Sequence, residues 1–223
     1  MVASMMARSK SWIRGLVGTM AALALLAALA APAAAQEEYA PFSVDPRAGV
    51  AFPIGDLADT HEFGFSGGMG LAVKVHPNVA LRGDFEVSVL DDESPQFGTV
   101  LAPTLTMTHF YGGLEFDFGP PDHQDTPLSF RWNLGAGGVS MSASRDFPTG
   151  QDVDFSQTYP SVNSGAKIGY RFSRSLELFV GGQIFLTFAD DQEMAELVKR
   201  VPDREPYGTV WSAPVTLGLK ASF

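Results

Sequence analysis

The sequence predicts an all-β protein, an eight-stranded antiparallel up-and-down transmembrane β-barrel. Three observations favour this fold. The chain begins with a segment typical of an export signal, eight later segments are apolar at every second position, and the last of them ends on an aromatic residue, Phe223. Because successive side chains of a β-strand point to opposite sides, each of these segments has one apolar face and one polar face.

The N-terminal segment predicts export. A basic region is followed by an apolar stretch over residues 16–31 and by a run of small residues over 33–35. This order is typical of a secretory signal peptide, and the apolar stretch is shorter than the ~20 residues that cross a bilayer as a helix. We therefore expect a signal peptide over residues 1–35 and an outer-membrane β-barrel domain over residues 36–223.

The first four strands are predicted at residues 42–52, 64–75, 81–89 and 104–118. The third shows the separation of the two faces most cleanly. Its apolar face carries Leu81, Phe85, Val87 and Val89, and its polar face carries Arg82, Asp84, Glu86 and Ser88. The other three strands alternate in the same way, with Phe, Val, Leu and Met on one face and Ser, Gly and charged residues on the other.

The last four strands are predicted at residues 128–139, 159–172, 176–188 and 210–223. Each alternates as the first four do, and the final strand is apolar at every second position up to Phe223. Pro46 and Pro214 interrupt the first and last strands, which must pair to close a barrel. Because proline has no backbone donor, we expect a bulge or an irregular seam there.

The connections alternate between short and long. Short turns are predicted around residues 76–78, 119–121 and 173–175, and long loops at 53–63, 91–103, 141–158 and 189–208. An even number of strands with short turns at one end and long loops at the other is the layout of bacterial outer-membrane barrels. Within the last loop, residues 191–201 predict a short amphipathic helix that ends before Pro202.

The polar faces carry nearly balanced charge, which favours a narrow closed interior in which buried charges pair. Seven basic and six acidic residues form this predicted lumen charge network: Asp45, Arg47, Lys74, Arg82, Asp84, Glu86, Glu115, Asp117, Arg131, Lys167, Arg171, Glu177 and Lys220. Aromatic residues on the apolar faces lie at the strand ends, as in the girdles of membrane barrels. A soluble barrel or sandwich with the apolar face inside is the alternative.

Three motifs carry a resemblance to a known family: residues 47–56 (RAGVAFPIGD), 67–70 (GGMG) and 77–82 (PNVALR). They resemble the opening hairpins of the small eight-stranded outer membrane β-barrel domain proteins, a group similar to OmpA, OmpX and OmpW. The resemblance implies an integral protein of the bacterial cell outer membrane, in contact with its lipids and lipopolysaccharide. We expect it to be a monomer. It also implies that the barrel assembly machinery reads Phe223 as an assembly signal.

The amino-acid composition limits the classes of partner and site that the chain can have. The chain has 15 Lys and Arg against 25 Asp and Glu, a net charge of −10, which argues against a nucleic-acid partner. It contains no cysteine, so a disulfide or a thiolate metal site is excluded. The predicted long loops hold fifteen acidic and four basic residues, a composition that suits weak binding of divalent cations. No cofactor motif is present.

The function that we expect is a structural or surface-interaction role, with a lumen plugged by side chains and no enzymatic activity. A narrow porin-like conduit for ions or small molecules is the first alternative, although eight strands enclose a space that side chains can fill. A barrel enzyme that modifies lipid A is the second. Such an enzyme needs a histidine near the outer rim, where His61 and His109 are the candidates, and His109 has no serine two residues away.

Overall fold

The computed structural model describes residues 42–59, 61–91, 104–119, 127–145, 153–173, 175–189 and 209–223. The predicted signal peptide, the predicted helix at 191–201 and most of the acidic loop residues lie outside these ranges. Among the described residues, no helix is long and apolar enough to span a membrane.

Eight antiparallel strands form a closed barrel in chain order, which confirms the predicted fold class. The strands are β1 (Phe42–Ile54), β2 (Gly64–His76), β3 (Val79–Leu90), β4 (Leu105–Asp117), β5 (Leu128–Arg145), β6 (Val153–Arg171), β7 (Leu176–Phe188) and β8 (Thr209–Ser222). A short 3-10 helix, Gly55–Asp59, follows β1. It begins at Gly55, whose φ of 63° is a left-handed conformation that glycine adopts at low cost.

The register fixes the stagger of the barrel. Following paired residues once around the wall from Ser43 leads through all eight strands and back to β1 at Pro53, ten residues further along. Strand number and stagger together set the tilt and the radius of a barrel. Residues far apart in sequence are therefore brought to the same height inside the barrel.

The seam between β1 and β8 is irregular at one of the two prolines and regular at the other. The pairing keeps one register from Ser43 with Ser222 to Ile54 with Trp211, and Pro214 pairs with Ala51 without a shift. The ladder skips Asp45 and Pro46, so the seam is irregular at Pro46, but the register does not shift and there is no bulge. The register shift that does occur lies between β2 and β3, at Lys74 and His76, beside the turn at 77–78.

The predicted loop at residues 141–158 is also corrected. β5 continues to Arg145 and β6 starts at Val153, and the two strands pair throughout this region, with Met141 opposite Gln157. The alternation continues here but its polarity is reversed. Val139 and Met141 are fully buried, whereas Ser142 and Thr158 are exposed. A pattern that required an apolar outer face therefore ended β5 too early and began β6 too late.

Large apolar side chains cover the outside of the rest of the barrel. They include Leu71, Leu81, Phe85, Leu114, Leu134, Ile168, Val180, Ile184 and Leu217, each 39–61% exposed. Aromatic residues lie at both ends of this belt. Those at the turn end are Phe42, Phe118, Phe130, Tyr170 and Phe172, and those at the loop end are Phe52, Phe63, Phe65, Phe188 and Trp211. A closed wall with an apolar belt between two aromatic girdles is typical of a membrane-spanning barrel.

Arginine substitution tests where the membrane lies along the outer wall. Leu217→Arg places a charge in the middle of the apolar belt and should cost about 2–4 kcal/mol of stability in lipid vesicles, because the guanidinium faces hydrocarbon. Ser142→Arg is the matched control, since Ser142 faces outward beyond the belt and should cost about 1 kcal/mol or less. Denaturant titration of the two variants in vesicles measures both, and equal costs would contradict this placement.

Candidate functional site

The barrel interior is the candidate site, because most predicted site residues meet there. Twelve of the thirteen predicted lumen residues form ion pairs with one another, and seven of the eight strands supply them. We call these twelve residues the charge network: Asp45, Arg47, Arg82, Asp84, Glu86, Glu115, Asp117, Arg131, Lys167, Arg171, Glu177 and Lys220. The thirteenth, Lys74, is half-buried near the turn end of β2.

Arg82 lies at the centre of the charge network. Its guanidinium makes two 2.7 Å hydrogen bonds to the carboxylate of Asp45, and further bonds of 2.6 and 2.7 Å to Asp84. It also donates to Glu115 at 2.8 Å. One arginine thus joins β1, β3 and β4 across the lumen. Its planar fork of five donors suits this role, which the single ammonium of a lysine could not fill.

Arg47 forms a second centre closer to the loop end. It donates to Glu86 at 2.9 Å and to Asp84 at 2.8 Å, and it contacts Asp45 at 3.2 Å. Glu86 also accepts a hydrogen bond of 2.8 Å from Ser66 on β2. Every strand therefore contributes at least one side chain to the network or to its hydrogen bonds.

Lysines and arginines on β5, β6 and β8 complete the network towards the turn end. Lys167 lies 2.9 Å from Asp45, and Lys220 lies 3.1 Å from Glu115. Arg131 pairs with Glu177 on β7. Arg171, the most accessible basic residue of the network, reaches Asp117 at 3.4 Å and Glu177 at 3.3 Å. The network contains six basic and six acidic residues, so its formal charges cancel.

Glycine makes room for these large side chains. A Cβ atom on Gly70 would collide with the guanidinium of Arg82 and the carboxylate of Asp45. Similarly, a Cβ on Gly169 would collide with the carboxylate of Glu177. These glycines therefore leave space for the arginine and acidic side chains of the neighbouring strands.

An aromatic layer lies beside and above the charge network. His109 stacks on Phe185 with ring centroids 4.2 Å apart, and its Nδ1 lies 2.8 Å from the hydroxyl of Tyr111. The Tyr111 hydroxyl donates to Ser161 at 3.0 Å. Lower in the lumen, the ring of Phe179 contacts the ammonium of Lys167, 5.1 Å from its centroid. The sequence did not predict that Phe179 and Phe185 face inward, because both are flanked by apolar residues of the outer face.

An apolar layer, which we call the apolar cap, fills the loop end of the lumen. Its residues are Ala51, Leu57, Leu90, Leu105, Met107, Val139, Met141, Ala143, Tyr159 and Val210, all buried. Leu57 comes from the 3-10 helix, which brings it into the cap from above. The sequence pattern did not predict the cap, although its signal is visible in the reversed alternation of residues 139–143.

A stretch of the lumen wall on β5, β6 and β7 is polar but not charged. Asn133 on β5, Asn163 on β6 and Gln183 on β7 are buried, and the Oδ1 atoms of both asparagines and the Nε2 atom of Gln183 have no hydrogen-bond partner among the described residues. Small residues, including Gly135 and Gly165, separate these amides. Nearer the turn end, the same strands carry Arg131, Lys167 and Glu177, so this wall is uncharged only around the three amides.

The described residues contain no group of three or more His, Asp or Glu side chains that could hold a metal ion. Of the fifteen predicted acidic loop residues, five fall within the described ranges: Asp56, Asp59, Glu62, Asp91 and Asp154. Cation binding by the loops therefore stays a prediction.

Removal of one charge from the centre tests how strongly the network stabilises the fold. Arg82→Met leaves three buried carboxylates without their shared partner, and we expect a loss of about 3–5 kcal/mol in the free energy of unfolding. Arg171→Met removes a charge from the more accessible turn end and should cost about 1 kcal/mol or less. Urea unfolding in micelles compares the two, and a similar small loss for both would contradict a central role for Arg82.

No protein-family model matches the chain, and no curated protein matches it. Among solved structures, the chain is similar to neisserial surface protein A, with 17% identity, a TM-score of 0.52, and coverage of 82% of this chain and 97% of that one. It is also similar to a major outer membrane protein from Thermus thermophilus, with 15% identity, a TM-score of 0.50, and coverage of 82% and 99%. The closed wall, the apolar belt and this likeness together identify the chain as a small eight-stranded barrel with the fold of bacterial outer-membrane proteins.

Proposed function

We propose that the chain is an integral outer-membrane protein with a sealed lumen and a structural or surface-interaction role. One observation carries this proposal: two different layers fill the interior in series. The charge network occupies the turn end and the middle of the lumen, and the apolar cap occupies the loop end. The sequence predicted a plug of paired charged side chains. The apolar cap is a second layer of the plug, and it is apolar rather than charged.

The two layers oppose transport for different physical reasons. A hydrated ion that meets the charge network must displace partners that, around Arg47 and Arg82, already bind each other at 2.6–2.9 Å. The cap offers no polar partner at Met107, Val139 or Met141, all of which have no exposed surface. An ion there would lose its hydration shell without compensation, and the cost of that loss is high. A sealed lumen leaves the outer surface and the loop end as the places where a function can lie.

A narrow conduit is the second candidate, and the uncharged wall of Asn133, Asn163 and Gln183 favours it. Their unpartnered amide atoms offer hydrogen bonds to small polar solutes that pass beside the ion pairs. The same wall runs into the apolar cap, so we place the conduit second.

A lipid-modifying enzyme has less support. His109, the strand histidine considered for catalysis, has no exposed surface and stacks on Phe185 inside the lumen. A general base for lipid chemistry has to reach its substrate, and the cap separates His109 from the loop-end rim. We therefore propose no enzymatic role.

The proposed placement in the outer membrane indicates which molecules surround the barrel. The apolar belt suits outer-membrane lipids, and we propose that lipopolysaccharide surrounds its loop end. Phe223 closes the seam, because its N–H donates to the carbonyl of Phe42 at 2.8 Å and its carbonyl accepts from the Phe42 N–H at 3.3 Å. We retain its role as a signal for the assembly machinery, and weak divalent-cation binding by the acidic loops, as proposals.

Planar-bilayer recordings test the seal. The unmodified protein should show no steady conductance, because both layers block the lumen. Replacing Met107 and Met141 by alanine, or Arg47 and Glu86 by alanine, opens one layer only and should leave the protein nearly silent. Combining the four substitutions opens both layers and should produce conductance, provided that heat-modifiable migration shows a folded barrel. Steady conductance in the unmodified protein would refute the sealed lumen.

Alanine substitution at the C-terminus tests the assembly signal. Phe223→Ala keeps the two backbone hydrogen bonds to Phe42, so detergent refolding should be nearly unchanged. Assembly into membranes in cells should nevertheless fall, because the terminal aromatic is lost. Phe172→Ala is the matched control, since it removes another exposed aromatic from the same rim. Equal cellular yields of the two variants would count against a special role for Phe223.

A further inference from the structure

Six hydroxyl residues form a regular array on the outer wall near the loop end. Thr108, Ser140 and Thr158 are paired side by side across β4, β5 and β6, and Thr106, Ser142 and Ser156 form a second row two residues further along. We call these six residues the hydroxyl grid. All six are at least partly exposed and none is charged, and the nearest acidic position on these strands is Asp154, two residues from Ser156 on β6.

The orientation of the hydroxyl grid is fixed from behind. The residues that alternate with it, Met107, Met141 and Tyr159, are buried in the apolar cap. Because neighbouring positions on a strand face opposite sides, the six hydroxyl side chains point outward. The spacing is then set by the sheet at about 4.8 Å between strands and roughly 6.7 Å along each strand. Such a surface can bind a ligand with little ordering of backbone.

The position of the grid indicates its environment. Going down the same three strands towards the turn end, the outward residues become apolar: Phe110 on β4, Leu134 on β5 and Val162 on β6 are all exposed. The grid therefore continues the lipid-facing surface upward without a gap. It begins where the apolar belt ends, at the level of the lipid headgroups of the loop-end leaflet.

The chemistry of the grid selects among headgroups. Hydroxyl groups both donate and accept hydrogen bonds, as sugar hydroxyls do. A site for phosphate would be expected to present Arg or Lys, whose charge-assisted hydrogen bonds are stronger. We infer that the hydroxyl grid is a docking face for the sugar rings of glycolipid headgroups in the outer leaflet, and that it contacts their hydroxyl groups. This inference rests on the proposed outer-membrane placement and adds to it a preferred lipid class.

The test uses nanodiscs and removes hydroxyl groups without changing shape. The combined substitution Thr106→Val, Thr108→Val and Thr158→Val keeps β-branched side chains and strand propensity. Thr209→Val is the matched control, because Thr209 is exposed on β8 and outside the grid. Each protein is placed in two kinds of phosphatidylcholine disc. One kind contains monogalactosyl diacylglycerol, and the other contains the same share of phosphatidylglycerol. Native mass spectrometry then counts the lipids that the released protein retains.

The unmodified protein and Thr209→Val should retain the galactolipid in preference to phosphatidylglycerol. The triple variant should lose about tenfold in this preference, which corresponds to ~1.4 kcal/mol spread over three hydroxyl groups. An unchanged preference in the triple variant, or equal retention of the anionic lipid by the unmodified protein, would overturn the docking face alone. A protein that does not enter the discs would contradict the membrane placement, and the docking face with it.

Discussion

The constraint on which the structure depends is that a closed barrel of eight strands has an interior which only side chains can fill. Every inward residue must therefore find its partner among other inward residues. Arg82 shows how this is met, since it binds Asp45, Asp84 and Glu115 from three strands. Six basic and six acidic residues can be buried together because they cancel each other, and glycine at positions such as Gly70 gives them space. An unpaired member would be costly, because its charge would be buried without a partner.

The same reasoning explains why the filling changes along the barrel axis. Where the outer wall faces hydrocarbon, the apolar residues are needed outside, and polar residues can pair inside. Beyond the membrane the outer wall meets water or headgroups. Polar side chains therefore lie outside there, and apolar side chains lie inside and form the apolar cap. β5 carries both arrangements, with Leu134 outside and Arg131 inside lower down, and with Ser142 outside and Met141 inside higher up. The reversal produces the cap and the hydroxyl grid together, as two faces of one stretch of sheet.

Much of the fold could be predicted from the sequence, because alternation with a period of two identifies strands and the residues that share a face. The eight strands, the faces of β3 and the strand ends of β7 are confirmed. The continuation of β5 and β6 was missed, since alternation does not tell which face is inside and the polarity reverses at residues 139–143. Phe179 and Phe185 were missed for a related reason: each has apolar neighbours on both sides in sequence. The partners within the charge network could not be predicted, because they depend on the stagger of ten residues around the wall, and strand spacing alone does not reveal it.

The most direct test of the sealed lumen is the reactivity of a single cysteine inside it, which is straightforward because the natural chain has none. Ser161 is buried beneath the apolar cap, where it accepts a hydrogen bond from Tyr111. In refolded protein in vesicles, Ser161→Cys should resist a small charged thiol reagent until denaturant unfolds the barrel. Ser142→Cys, which faces outward, should react at once. Equal reaction rates at the two positions in the folded protein would contradict a lumen closed by the cap and the charge network.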